Sequence, residues 1–91
     1  MNNIEHDRQQ QQFSMMVDGH QCVLDYQLNG NTMTVTHTGV PSAVGGRGLA
    51  AQITKFALDH AKAQDWRVIP ACSYVAVYIE RHPEYQSLLN A

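Results

Sequence analysis

Polar and apolar residues alternate along three consecutive segments in the first half of the chain. A period of two is the signature of a strand with one buried face, which predicts strands over residues 13–17, 20–28 and 31–38. Asp18-Gly19 and Asn29-Gly30 separate these segments, and both dipeptides favour the tight turns of β-hairpins. The three strands are therefore predicted to form an antiparallel meander.

The third of these strands carries a histidine in phase with apolar residues. Met33, Val35 and His37 alternate with four threonines, the last of which is Thr38. The alternation predicts that His37 shares a face with Met33 and Val35, whereas Thr38 lies on the opposite face. A hydrogen-bonded histidine in the core is therefore at least as good an interpretation of His37 as an accessible base.

The pattern changes after a glycine-rich loop over residues 43–48. Apolar residues recur from Leu49 through Phe56 to Ala61 at the spacing of a helical turn. This spacing predicts an amphipathic helix whose buried stripe includes Phe56.

Two shorter elements complete the predicted fold: a buried strand over residues 67–70 and a second helix over residues 74–80, which His82-Pro83 ends. The order β-β-β-α-β-α predicts an α+β fold in which a three-stranded meander is extended by a fourth strand. Residues 1–12 contain four consecutive glutamines and little apolar surface. We therefore expect them to form a flexible leader to a single domain over residues 13–91.

Length, charge and cysteine spacing narrow the functional classes. A chain of 91 residues suits one compact domain, and a net charge of −2 argues against sequence-independent binding of nucleic acid. No apolar run approaches the ~18 residues of a membrane span. Cys22 and Cys72 lie far apart without CxxC spacing, so neither a metal site nor a disulfide framework is predicted. No signal peptide is recognisable, and a reducing, cytoplasmic location is expected.

The loop Val44-Gly45-Gly46-Arg47-Gly48-Leu49-Ala50 carries the clearest chemical signal. Its glycines permit a ligand to approach the backbone closely, and the first N–H groups of the following helix have no intrahelical partner. With the helix dipole, these groups form a site suited to a pyrophosphate, to which Arg47 adds a cation. A flexible connection between a strand and a helix explains the same residues equally well.

Four blocks in the second half, in this order and spacing, resemble a known family. The blocks are His37-Thr38-Gly39-Val40-Pro41, Gly46-Arg47-Gly48-Leu49-Ala50, Val68-Ile69-Pro70-Ala71-Cys72-Ser73-Tyr74-Val75, and Tyr78-Ile79 followed by His82-Pro83-Glu84-Tyr85. They resemble the minimal GNAT-like (GCN5-related N-acetyltransferase) proteins of the YjdJ type, and the likeness covers about residues 23–89.

The resemblance implies a GNAT-like fold, a mixed sheet that splays beside its third strand, and a ligand that is coenzyme A (CoA) or acetyl-CoA. The pantetheine arm of that ligand is expected on Thr38, Gly39 and Val40, and its pyrophosphate on the amides of residues 45–50, with Ser73 as a further contact. The implied pyrophosphate residues are Gly45, Gly46, Arg47, Gly48, Leu49 and Ala50.

Two positions depart from the family pattern. The acyl-CoA signature usually begins with Gln or Arg, where this chain has Gly45. Many members carry an acidic residue where this chain has Gly39, so an obvious general base is missing.

Three residues are candidates for the chemistry. Cys72 lies between a strand and a helix, where amides lower a thiol pKa, and the resemblance places it near the thiol end of acyl-CoA as a nucleophile or in proton transfer. His37 is a candidate base. Tyr78 is a candidate acid because a tyrosine on this helix has that role in larger family members. The alternatives are a buried small hydrophobe for Cys72 and core packing for Tyr78 or Tyr74, while Cys22 is interpreted as structural.

Three functional hypotheses follow. The first is acetyl transfer from acetyl-CoA to an unidentified amine, with a protein amine among the candidates. The second is a non-catalytic CoA-binding or acyl-CoA-sensing module, favoured by the missing acidity at Gly39. The third is an interaction domain whose glycine loop only turns a corner. Arg81 and His82 are candidates for contacts to the nucleotide end of CoA, although a solvated helix end explains them as well.

Overall fold

The computed structural model describes residues 3–89. The first two residues of the predicted leader and the last two of the predicted domain lie outside this range. The described elements are strands β1 (Glu5–Asp7), β2 (Gln12–Val17), β3 (His20–Asn29), β4 (Thr32–Gly39) and β5 (Arg67–Pro70), and helices α1 (Leu49–Ala63) and α2 (Ser73–Arg81). Single 3₁₀ helices cover Ser42–Val44 and Pro83–Leu88.

One mixed sheet with the order β1-β2-β3-β4-β5 forms the centre of the fold. The first four strands are antiparallel. β5 runs parallel to β4 because α1 returns the chain to the end of the sheet at which β4 begins. In the β2–β3 turn, Asp18 and Gly19 have φ angles of 50° and 79°, as the tight hairpin turn requires. The predicted α+β fold is confirmed.

The sheet has one strand more than the sequence predicted. β1 lies inside the segment expected to be a flexible leader, and it pairs with β2 along the sheet edge. The ring of His6 stacks on that of Phe13 with centroids 4.1 Å apart, and its Nε2 lies within hydrogen-bond distance of the Tyr26 hydroxyl. The low apolar content of this segment did not predict a strand, because a histidine rather than an aliphatic residue attaches β1 to the core.

Both helices pack on one face of the sheet, here called the helix face, and the opposite face is called the outer face. Ile53 and Leu58 of α1 are fully buried, as are Val75 of α2 and the central inward residues of the strands: Phe13, Leu24 and Met33. Phe56, predicted in the buried stripe, is 42% exposed, and its ring makes a T-shaped contact with that of Phe13 at 5.9 Å between centroids. The helix is rotated so that Thr54, rather than Phe56, is buried.

The pairing of β3 with β4 contains a bulge that changes which residues of β4 face the helices. Val35 pairs with Tyr26 and His37 pairs with Asp25, so Thr36 has no partner of its own on β3. One extra residue reverses the alternation beyond it. His37 is consequently exposed on the outer face, and Thr38 faces the helix side, opposite to the faces that the simple alternation predicts for both.

Candidate functional site

The site is built around a gap between β4 and β5. The two strands pair only from Thr32–Arg67 to Val35–Pro70, and the Cys72 N–H closes the pairing by donating to the Val35 carbonyl at 2.9 Å. β4 then continues as far as Gly39 without a β5 partner, while the segment after β5 turns away into α2. Parallel strands that part in this way leave backbone donors and acceptors of β4 free on one edge. This is the splay that the family resemblance implies.

The glycine loop leads from β4 to α1 and presents a row of unpaired donors. Gly46 and Gly48 have φ angles of 78° and 72°, a conformation that side chains other than that of glycine adopt at a cost. The first N–H with an intrahelical acceptor is that of Gln52, which donates to the Gly48 carbonyl at 3.1 Å. Within residues 3–89, the preceding donors have no hydrogen-bond acceptor: the N–H groups of Gly46, Arg47, Gly48, Leu49, Ala50 and Ala51.

Two residues of this loop differ from the rest. The Gly45 N–H donates to the Ser42 carbonyl at 3.1 Å, so it is already engaged. The Arg47 guanidinium pairs with the Asp18 carboxylate at 2.6 Å, and both side chains are largely solvent-exposed. Exposed pairs of this kind contribute only about 0–1 kcal/mol, so a phosphate competes readily for Arg47.

At the other wall of the gap, Cys72 is the residue before the first turn of α2, and Ser73 begins that helix. The Cys72 thiol donates to the Thr38 hydroxyl across the gap, with 3.5 Å between Sγ and Oγ1. Burial acts to raise the pKa of Cys72, but hydrogen bonds from Thr38 and from the N–H groups of Val75 and Tyr74 outweigh it and lower the pKa overall. A lowered pKa favours the thiolate, which is the reactive form of cysteine.

His37 and Gly39 lie together on the outer face of β4. A Cβ added to Gly39 would approach the His37 Nε2 to 2.9 Å, so the imidazole occupies the space that a side chain at position 39 would need. The interpretation of His37 as a core histidine is wrong, because the bulge at Thr36 moves it to solvent. Val40 follows, half-buried and packed against the core.

A cavity of about 220 Å³ lies between the first turn of α1 and the exposed side of α2. Tyr78 lines it and is itself 8% exposed, with its ring stacked on that of His82 at 3.9 Å. Burial raises the pKa of the Tyr78 phenol, which keeps it protonated at neutral pH. The remaining lining residues are Ala51, Tyr74, Val77, Arg81 and His82.

The structure thus brings most of the predicted residues to one end of the sheet. Thr38 and Cys72 meet across the gap, Ser73 follows Cys72, and the glycine loop follows the same end of β4. The cavity with Tyr78 opens beside Ala51. Sequence reasoning missed Ala51 as a free donor and missed the contact between Thr38 and Cys72, for which no local pattern gives a signal. Among residues 3–89, no group of three or more His, Cys, Asp or Glu side chains is arranged to hold a metal ion, and no helix is long and apolar enough to span a membrane.

Comparison with known proteins shows the family of this chain. The family model described as GCN5-related N-acetyl-transferase matches residues 12–88. Protein NATD1 of Mus musculus is 38% identical over 88 residues, which cover 93% of this chain and 80% of that protein. Protein NATD1 of Homo sapiens is 35% identical, with 93% and 78% covered.

A solved structure shares the fold. The NMR solution structure of a GCN5-like protein from Staphylococcus aureus superposes with a TM-score of 0.76 at 23% identity, covering 98% of this chain and 88% of that one. The family model, the NATD1 relatives and the shared fold agree, and this chain belongs to the GCN5-related N-acetyltransferase family.

Proposed function

We propose that the protein binds acetyl-CoA and transfers its acetyl group to an amine. The observation that carries the proposal is the row of six unpaired N–H groups at the start of α1, which follows the end of β4 that has no β5 partner. The first donors of a helix have no intrahelical partner, and donors that converge at a helix start favour an anion such as a pyrophosphate.

The residues present fit such a ligand along its whole length. Apart from the neighbouring residues in the chain, no heavy atom of residues 3–89 lies within 4 Å of a Cβ added to Gly46 or Gly48, so the loop has room for a diphosphate. Arg81 and His82 at the far side of the cavity are suited to the nucleotide end. The free edge of β4 offers backbone partners near Thr38, Gly39 and Val40 to the amides of the pantetheine arm.

Acetyl-CoA supplies the activated acetyl thioester in this reaction. The acceptor nitrogen forms a bond to the carbonyl carbon, the carbon–sulfur bond breaks, the nitrogen loses a proton and the departing sulfur gains one. His37, exposed beside the gap, is suited to take the proton from the amine. Tyr78, protonated at neutral pH, is suited to deliver one to the sulfur.

Cys72 has two roles that its geometry supports. Its lowered pKa suits acceptance of the acetyl group before the amine receives it, and equally suits proton transfer next to the departing sulfur. An acetyl group retained on the protein, seen as a mass increase that Cys72→Ala abolishes, supports the first role. Amine-dependent turnover that falls in Cys72→Ala, with no acetyl group retained on the wild-type protein, supports the second. The proposal places this chemistry in the cytoplasm, where the free thiols of Cys22 and Cys72 stay reduced.

The test is release of free CoA thiol from acetyl-CoA in the presence of a panel of amines, including a lysine peptide. We expect release that depends on the amine and falls in His37→Gln, with His20→Gln, an exposed position on β3, as the matched control. Tight binding of CoA without any release identifies the second candidate, a binding module, which the absence of a carboxylate at Gly39 favours. A melting temperature that millimolar CoA leaves unchanged contradicts both.

A further inference from the structure

The outer face of the sheet is the side from which an acceptor reaches the gap. Both helices, the glycine loop and the cavity lie toward the helix face, so a bound CoA occupies that side. Within residues 3–89 no helix packs on the outer face, and the exposed residues Met16 and Ile69 show that this part of the chain leaves it uncovered. Since β4 and β5 part beyond Val35, the gap is accessible from this face as well.

A straight row of polar side chains crosses the outer face and ends at the gap. Strand register pairs Asp7 with Gln12, Gln12 with Asp25, and Asp25 with His37, so one residue from each of the four antiparallel strands lies in the row. The Gln12 amide donates to the Asp25 carboxylate at 2.8 Å, which fixes the carboxylate in the row. Cross-strand neighbours of this kind have Cβ atoms about 5 Å apart, which places Asp25 next to His37.

The shape of the outer face indicates an extended acceptor rather than a small molecule. An open groove of about 670 Å³ runs over β1 and β2, and Gln12 connects it to Asp25. Sites for small molecules are concave and enclose most of their ligand, whereas this groove is shallow and lined by polar side chains. The row spans about 14 Å across three strand spacings, which is the length of about four residues of extended polypeptide.

The charges of this face select the chemistry of the acceptor. Glu5 and Asp7 line the groove together with a single cation, Arg8, and Asp25 adds a third carboxylate beside His37. An acidic surface of this kind attracts cationic groups and orients them toward the reactive end of the row.

We infer that the outer face docks an extended polypeptide rich in lysine, with Asp25 holding the acceptor ammonium beside His37 and Asp7 meeting a second cation about four residues away. This inference rests on the proposed function for the transfer itself. The docking is a property of this face alone and does not require bound CoA.

The test is an NMR titration of the protein, without CoA, with an N-acetylated, C-amidated glycine peptide that carries two lysines four positions apart. We expect shifts at the outer-face residues of the row, and none with the same peptide in which glutamine replaces both lysines. Asp25→Asn should weaken binding about fivefold, the upper range for one exposed ion pair. Asp65→Asn is the matched control, since Asp65 is exposed before β5, at the end of β4 opposite to His37, and should leave the affinity unchanged.

Each remaining outcome decides against the docking surface. Shifts confined to the helix face, equal binding of the glutamine peptide, or equal weakening by Asp25→Asn and Asp65→Asn would each overturn it. A parallel CoA titration of Asp25→Asn keeps the two proposals apart, because CoA affinity should be unchanged. If the wild-type protein does not bind CoA, the proposed function is refuted, and the peptide titration still tests the docking surface independently.

Discussion

The two edges of the sheet differ in how completely their groups are packed and paired. On the β1–β3 side, the rings of His6, Tyr26 and His60 all contact the ring of Phe13, and β2 is paired with β3 along its whole length. On the β4–β5 side, the strands part after four paired residues, and the head of α1 keeps six donors without partners. We call these the closed side and the open side.

The difference shows where the fold is stabilised and where it is available to a ligand. Buried aromatic surface on the closed side supplies stability independently of any ligand. The donors on the open side are unpaired within the protein and largely exposed, and the positive end of the α1 dipole favours an anion over water at them. Changes on the closed side should therefore lower stability, and changes on the open side should alter binding and reactivity.

The largest expected effect belongs to the closed side. Phe13 is fully buried among four other rings, so Phe13→Ala leaves a cavity and should lower the free energy of unfolding by about 3–5 kcal/mol. On the open side, Thr36→Ala changes an exposed residue of β4 and should stay within about 0.5 kcal/mol. Urea unfolding measures both, and similar losses would remove the distinction between the sides.

The next effect concerns the glycines of the open side. Gly48→Ala forces a side chain into a left-handed conformation, which costs about 1–2 kcal/mol, and adds a methyl group in the space in front of the loop. Gly30→Ala imposes a similar strain at a φ of 57° with equally open surroundings, in the β3–β4 turn at the end of β4 opposite to the gap. Both should lower stability alike, while calorimetry should show about a tenfold weaker affinity for CoA only in Gly48→Ala. Equal CoA affinities in the two variants would count against the loop as the phosphate site.

A third expectation uses the histidines of the closed side. Burial lowers the pKa of His6 and His60 below the ordinary 6.5, and mutual repulsion and Arg8 add to the effect at His6, which Asp7 partly offsets. The unfolded chain therefore binds more protons than the folded one just below pH 6.5. The free energy of unfolding should be highest above this pH and decline as the pH falls through and below it.

Urea unfolding between pH 5 and pH 8 checks this decline. His60→Gln should flatten the dependence on pH, whereas His20→Gln, at an exposed position without ring contacts, should leave it unchanged. A steeper decline in His60→Gln would show that the closed side favours charged rather than neutral histidines.

The smallest effect is a shift in the reactivity of Cys72. Because the Thr38 hydroxyl helps to lower the pKa of the thiol, Thr38→Val should move the midpoint of alkylation by iodoacetamide to higher pH. Cys22 is fully buried and should not react in the folded protein. Thr36→Val, a change of the same type on the same strand, should leave the midpoint in place. A midpoint that Thr38→Val does not move would remove the hydroxyl from the thiol's surroundings.

Sequence alone predicted those parts of the molecule that obey a regular period. The meander, α1, β5 and α2 all occur at or within about two residues of the predicted positions, because alternation and helical spacing report which face is buried. β1 escaped prediction because His6 attaches it through ring contacts that no count of apolar residues reveals.

The same limit applies to the site. The loop donors were predictable, since any helix start leaves N–H groups unpaired. The reversal of His37 and Thr38 was not, because a single bulged residue at Thr36 changes both faces and nothing in the row of threonines marks where the bulge falls. The Arg47 pair with Asp18 depends on a contact between distant turns, which spacing along the chain cannot show.

The central claim is that the free backbone donors at the start of α1 bind the diphosphate of CoA. Its most direct test is a titration of the ¹⁵N-labelled protein with CoA, followed through the backbone amide signals. The account predicts saturable downfield shifts of the amide protons of residues 46–51, with the Gly45 amide, already engaged by Ser42, moving least. Signals of residues 46–51 that stay in place while CoA binds elsewhere would contradict it.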